Sequence, residues 1–180
     1  MKVMKKILGI AILFAGVVLL PSLASAQGIG GGTLTVSATI VPTITLVLDS
    51  DLSGVTLTGT GTNAATLAFG NISAYASLSS NVGRTVNGVT NYTISTPFDV
   101  KVTQANSASL TYTLAAELNS VDTTNTWTIG GVTITGGAPA NVTVTGAYGG
   151  DVSYSLVLTV PFNETAGVIG NIINFSATPN

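Results

Sequence analysis

Along residues 34–48 apolar and polar side chains alternate almost without a break. Leu34, Val36, Ala38, Ile40, Ile44, Leu46 and Leu48 hold even positions, and nearly every odd position is Thr or Ser. Successive side chains of an extended chain point to opposite faces, so this period of two predicts β-structure with one apolar side. Pro42 interrupts the run. Proline has no N–H to give a ladder and is confined to strand ends, edges or bulges, so the pattern predicts two strands meeting near residue 42.

The same period returns through the rest of the chain. It predicts strands near residues 55–60, 66–72, 91–95, 98–103, 109–118, 126–129, 132–135, 141–145, 152–160 and 170–177, with a polar loop over 77–88. Two of them alternate most cleanly. Leu110, Tyr112, Leu114, Ala116 and Leu118 share one face, as do Val152, Tyr154, Leu156, Leu158 and Val160. Gly130-Gly131 between two apolar runs is a two-residue hairpin signal. After the first residues of the chain, no stretch carries capped helical spacing; 115–118 comes nearest and is too short to stand alone. Many short strands separated by Gly, Asn and Pro predict an all-β, antiparallel sandwich or barrel.

Before the alternating ribbon lies a segment of a different kind. Lys2, Lys5 and Lys6 precede an apolar run over 7–20, and Ala24-Ser25-Ala26 supplies small residues before Gln27. This is the order of a secretory signal peptide, predicted to occupy residues 1–26 and to be cleaved after Ala26. The apolar run is short for a bilayer span, so membrane contact is expected only during export. Cleavage would leave 154 residues, enough for one domain that buries roughly 70% of its unfolded surface. Gly28 to the ribbon reads as a tether, making 27–41 an N-terminal extension and 42–180 the sandwich domain.

Charge narrows the partners. Of the five bases only Arg84 and Lys101 survive cleavage, against seven acids, a net charge of −5. Such a surface is poorly matched to nucleic acid or anionic lipid. The absence of Cys and His removes disulfides, thiol nucleophiles and imidazole ligands, and no local pair of carboxylates suggests glycoside hydrolysis. No enzyme, catalytic residue, metal or cofactor is therefore expected. Asp49 and Asp51 could help hold Ca²⁺, but the reading favoured for two carboxylates at this spacing is an Asx-rich turn held by side chain to backbone hydrogen bonds. Trp127 could be a sugar-stacking platform or a core residue. Sequons stand at Asn71, Asn91, Asn141, Asn163 and Asn174 in a chain rich in Asn and Thr.

Sheet edges recruit other chains unless Lys, Pro, bulges or loops guard them. One Lys remains after cleavage, so either the edges close on themselves or pairing with another chain is their purpose. In the second case the N-terminal ribbon would add as a strand to a neighbouring subunit, a head-to-tail contact that yields a filament.

Three pieces carry a family likeness: Leu34-Thr-Val-Ser-Ala-Thr-Ile-Val-Pro-Thr-Ile-Thr-Leu, Leu67-Ala-Phe-Gly-Asn, and Thr165-Ala-Gly-Val-Ile-Gly-Asn-Ile-Ile-Asn-Phe. In these the chain resembles the spore coat protein U-like subunits of archaic chaperone-usher pili. The resemblance implies an immunoglobulin-like antiparallel sandwich lacking its last strand and completed by donor-strand addition. It implies Leu34, Val36, Ala38 and Ile40 as donor side chains, and an acceptor groove lined partly by Ile44, Leu46, Ile172 and Phe175. The partners it implies are neighbouring copies or related subunits, a periplasmic chaperone and an outer-membrane usher, with a role in adhesion or biofilm at the cell surface. Members of the family commonly carry a cysteine pair, which this chain lacks. Two other readings stay open: a self-contained secreted sandwich acting as coat, matrix or carbohydrate-binding protein, and a small outer-membrane barrel.

Overall fold

The computed structural model describes residues 34–38, 44–104 and 106–180. The predicted signal peptide, the tether and the donor position Ile40 lie outside them. The chain falls into two units, Met1–Thr39 and Ile40–Asn180. Of the first, residues 34–38 belong to no strand, with Leu34 and Val36 exposed.

The second unit is all-β, with no helix among the described residues and nine strands: β1 (Ile44–Asp49), β2 (Gly83–Asn87), β3 (Asn91–Gln104), β4 (Thr111–Leu118), β5 (Thr126–Ile129), β6 (Val132–Ile134), β7 (Ala140–Ala147), β8 (Asp151–Pro161) and β9 (Ile173–Pro179). They form two antiparallel sheets. The larger runs β1-β3-β8-β5-β6, with β2 also on β3; the smaller runs β7-β4-β9. The strands stay in two separate sheets and do not form one closed cylinder, which sets aside the barrel.

Alternation explains why the sheets meet. In β3, Ile94, Thr96, Phe98, Val100 and Val102 are buried; in β8, Tyr154, Leu156, Leu158 and Val160 are. The register sets these side by side, Ile94 opposite Leu158 and Phe98 opposite Tyr154, while Thr93 opposite Thr159 and Lys101 opposite Asp151 fall on the other face. Tyr112, Leu114, Ala116 and Leu118 of β4 enter the same core from the smaller sheet. Each such large apolar side chain, once buried, contributes about 1.5–3 kcal/mol. The hairpin signal is realised as β5–β6, with Gly130 and Gly131 at φ 56° and 86°. Two consecutive positive φ values define a type I′ turn, whose twist matches that of the flanking strands.

Three expectations change. The runs at 91–95 and 98–103 are one strand, β3, which passes straight through Pro97. The carbonyl of Pro97 faces Gly54, where an added Cβ would stand 2.0 Å from it. Because N–H and C=O of one strand residue point to the same side, the missing N–H faces this loop. It falls between β2, which pairs with β3 only up to Ser95, and β1, which begins at Asp99. The proline therefore deletes no ladder bond. Residues 55–60 and 66–72 are not strands; they contribute only single bridges such as Thr58 with Thr66. Conversely, β2 lies in the predicted polar loop, every residue exposed, and exists because it folds back on β3.

Candidate functional site: an open flank of the sandwich

The two flanks of the sandwich are built differently. On one, the chain crosses from β6 to β7 and bridges the sheets: Thr135 pairs with Ala138, Leu118 pairs with Gly136, and the Leu118 N–H donates to the Thr135 carbonyl at 3.0 Å. At the other flank stand the edge strands β1 and β9, which approach one another without pairing. Their inward side chains, Ile44, Leu46 and Leu48 on β1 and Ile173, Phe175 and Ala177 on β9, are only half-buried, whereas the inward residues of β3, β4 and β8 are almost completely enclosed. An edge strand leaves its core-facing residues half-covered when no further strand flanks it.

A cleft of about 1170 Å³ opens into the core. Its floor includes Phe98, Leu156 and Leu158 from the larger sheet, and Phe175 rises from β9, edge-on to Phe98 with ring centroids 5.9 Å apart. Its walls are the irregular segments 65–75 and 164–172. In the first, Ala65, Leu67 and Phe69 point to the core and their neighbours point out, so the alternation is real although no ladder forms. Among the described lining residues Glu164 is the one that carries a charge. The cleft thus suits apolar groups presented in a row, and its chemistry is transfer of hydrocarbon from water.

The acceptor residues implied by the resemblance divide. Ile172 and Phe175 line the cleft; Ile44 and Leu46 pack on the core from β1 but stand outside the lining, where Leu48 represents that strand. Ile172 is largely exposed at the cleft mouth. Leu57, Trp127 and Ile169 also line it, and none of the three was expected in the groove from sequence. Leu67 and Phe69 had a signal in their i, i+2 spacing; Ile169, in a glycine-flanked segment, had none. Of the donor residues, Leu34, Val36 and Ala38 lie in the separate N-terminal unit.

Trp127 and Asp51 show how the remaining candidates are used. Trp127 is 5% exposed and its indole N–H donates to Asp122 at 2.8 Å, so it is a core residue and offers no stacking platform. Burial raises the Asp122 pKa, but N–H donors from Asn125, Trp127 and Thr124 outweigh it and hold the carboxyl below its ordinary value. Asp51 closes an Asx turn, accepting from the Ser53 N–H and hydroxyl at 2.7 Å each, and accepts the Ser153 hydroxyl at 2.7 Å. These donors hold its pKa down, at about 2. Asp49 accepts from Thr60 at 3.2 Å. No three metal-ligating side chains converge among the described residues.

The fold therefore places the chain among two-sheet, all-β sandwich proteins with one open flank. Comparison with family models, curated protein sequences and solved structures finds no match in any of the three.

Proposed function

We propose that the chain is a structural subunit of an extracellular fibre, assembled by donation of the apolar N-terminal ribbon of one subunit into the open flank of the next. The observation that carries this reading is the half-covered seam: two edge strands with apolar inner faces, a cleft between apolar walls, and an apolar ribbon of period two elsewhere in the chain. Leu34, Val36, Ala38 and Ile40 would supply the side chains and the free edge of β9 the ladder, the mode of β-strand addition. An extended segment becomes a strand only by pairing, which accounts for residues 34–38 belonging to none in a single copy.

Strand order supports the finer reading. Within the two sheets, the order β1-β3-β8-β5 and the pair β4-β9 correspond to the A-B-E-D and C-F parts of immunoglobulin-like sandwiches, with β2, β6 and β7 additional to them, and strand G would lie beside β9. Each subunit then gives one strand and receives one, so the contact propagates head-to-tail. Chaperone and usher partners, and a surface role in adhesion or biofilm, follow from the same proposal. The export signal predicted in residues 1–26 is consistent with it.

The test is an immunoblot of protein sheared from the native cell surface, with cold and boiled samples in detergent. Fully paired donor strands resist detergent when cold, so a ladder of multiples should collapse to one band on boiling, and deletion of residues 27–41 should abolish the ladder. A single band at monomer mass in both lanes refutes the proposal and favours a self-contained secreted sandwich.

A further inference from the structure

At one end of the cleft its two sides meet through aromatic rings. Tyr75, on the 65–75 wall, stacks on Phe162, with ring centroids 6.1 Å apart and planes 5° from parallel. Phe162 also leans on Tyr92 of β3, 5.9 Å away at 35°. All three rings line the cleft. Their supports differ. Phe162 follows β8 directly and its N–H donates to the Thr90 carbonyl at 3.0 Å, so the main chain fixes it.

Tyr75 sits on irregular chain and is 75% exposed. Burial therefore does little to hold it. Its turn is closed by the Ser73 hydroxyl, which accepts from the N–H groups of Tyr75 and Ala76, and is tied to β2 by Arg84, whose Nη1 donates to the carbonyls of Ser73 and Ala76 at 2.9 and 2.5 Å. The ring stack thus joins the Tyr75 end of the wall to the chain just after β8, while Leu67, Phe69 and Ile72 pack on the core farther along. Such a pair biases a local opening equilibrium by only about two- to tenfold, within the range of fluctuations that admit a ligand.

We propose that Tyr75 and Phe162 form a clasp across this end of the cleft. Closed, it holds the Tyr75 end of the 65–75 wall to the chain after β8; open, it frees that end so that an apolar β-strand can enter. The identity of the entering strand rests on the strand-acceptor reading above, but opening of the clasp is measurable without any occupant.

Trp127, the one tryptophan of the chain, lines the same cleft and reports its opening. Acrylamide quenching is measured on the mature chain, refolded from urea and kept monomeric by dilution. Tyr75→Ala should raise the quenching constant about two- to tenfold, and Tyr75→Phe, which keeps the ring, should leave it unchanged. Because Tyr75 is exposed, neither change threatens the core. A synthetic peptide of residues 33–41 should then associate faster with Tyr75→Ala by a similar factor. Equal quenching in the wild type, Tyr75→Ala and Tyr75→Phe overturns the clasp. Raised quenching in Tyr75→Ala with no peptide response in any variant upholds the clasp and refutes the strand-acceptor reading instead.

Discussion

Replacing Thr96 with Val should be among the most costly single changes that leave core volume intact. Thr96 is the one polar residue found fully buried, at 1% exposure, among the described residues. Its hydroxyl accepts from the Val55 N–H at 2.9 Å and donates to the Asn81 carbonyl at 2.9 Å. The Asn81 amide in turn donates to the Gly54 carbonyl at 2.9 Å. The hydroxyl thus fills the gap in the β3 edge between β2 and β1 and fastens there the segment leading to Leu57 in the cleft. Valine keeps the shape and the β-branch but strands one N–H and one carbonyl. At roughly 1–3 kcal/mol for each unsatisfied group, eased because Val55 is half-buried and Asn81 exposed, the loss should be about 2–4 kcal/mol. For a domain of this size that lowers Tm by about 10 °C. Urea unfolding followed by Trp127 fluorescence measures it directly. Thr96→Ser should recover most of the loss, and Thr45→Val, on the exposed face of β1, should stay within about 0.5 kcal/mol of wild type. If Thr96→Val is equally close to wild type, the loop is not held by this hydroxyl and the reasoning fails.

Two further changes test electrostatics and packing. Burial, then the nearby Asp51 and Asp151 carboxylates, raise the Asp99 pKa above 3.8, while the Ser153 hydroxyl lowers it, Lys101 pairs with Asp151 at 3.3 Å, and Asp49 lies opposite on β1. Folding thus favours the protonated acid, and the stability tied to Asp99 is full below its unfolded pKa and falls as pH rises through the raised one. Asp99→Asn should therefore raise Tm at pH 7, with the gain shrinking below about pH 4; a gain that grows on acidification contradicts the assignment. A Cβ at Gly146 would stand 2.3 Å from the ring of fully buried Tyr112, so Gly146→Ala should cost about 1–3 kcal/mol in the same urea assay, and a neutral result would mean that β7 yields.

The sequence by itself determined most of the residues that face inward, because burial of apolar side chains depends on a period that the chain carries locally; Leu110, exposed just before β4 begins, departs from its pattern. Tyr112 to Leu118, Tyr154 to Val160 and the Gly130-Gly131 hairpin were legible in this way, and so was the turn at Asp51. Tertiary structure decided which extended segments became strands, since a ladder requires a partner that the local sequence does not name. Residues 65–69 alternate yet pair only at one bridge, whereas Gly83–Asn87 lacks alternation but forms β2 because a short turn returns it to β3. The pattern predicted separate strands at 91–95 and 98–103; only the gap between β1 and β2 made Pro97 harmless inside one continuous β3. The cleft shows the same division. Phe175 and Ile172 were visible as members of an apolar terminal segment, but Leu57 and Trp127 join them across long stretches of chain. That the flank between β1 and β9 stands open, while the β6 to β7 flank is bridged, follows from how the two sheets are arranged in space, which no local pattern encodes.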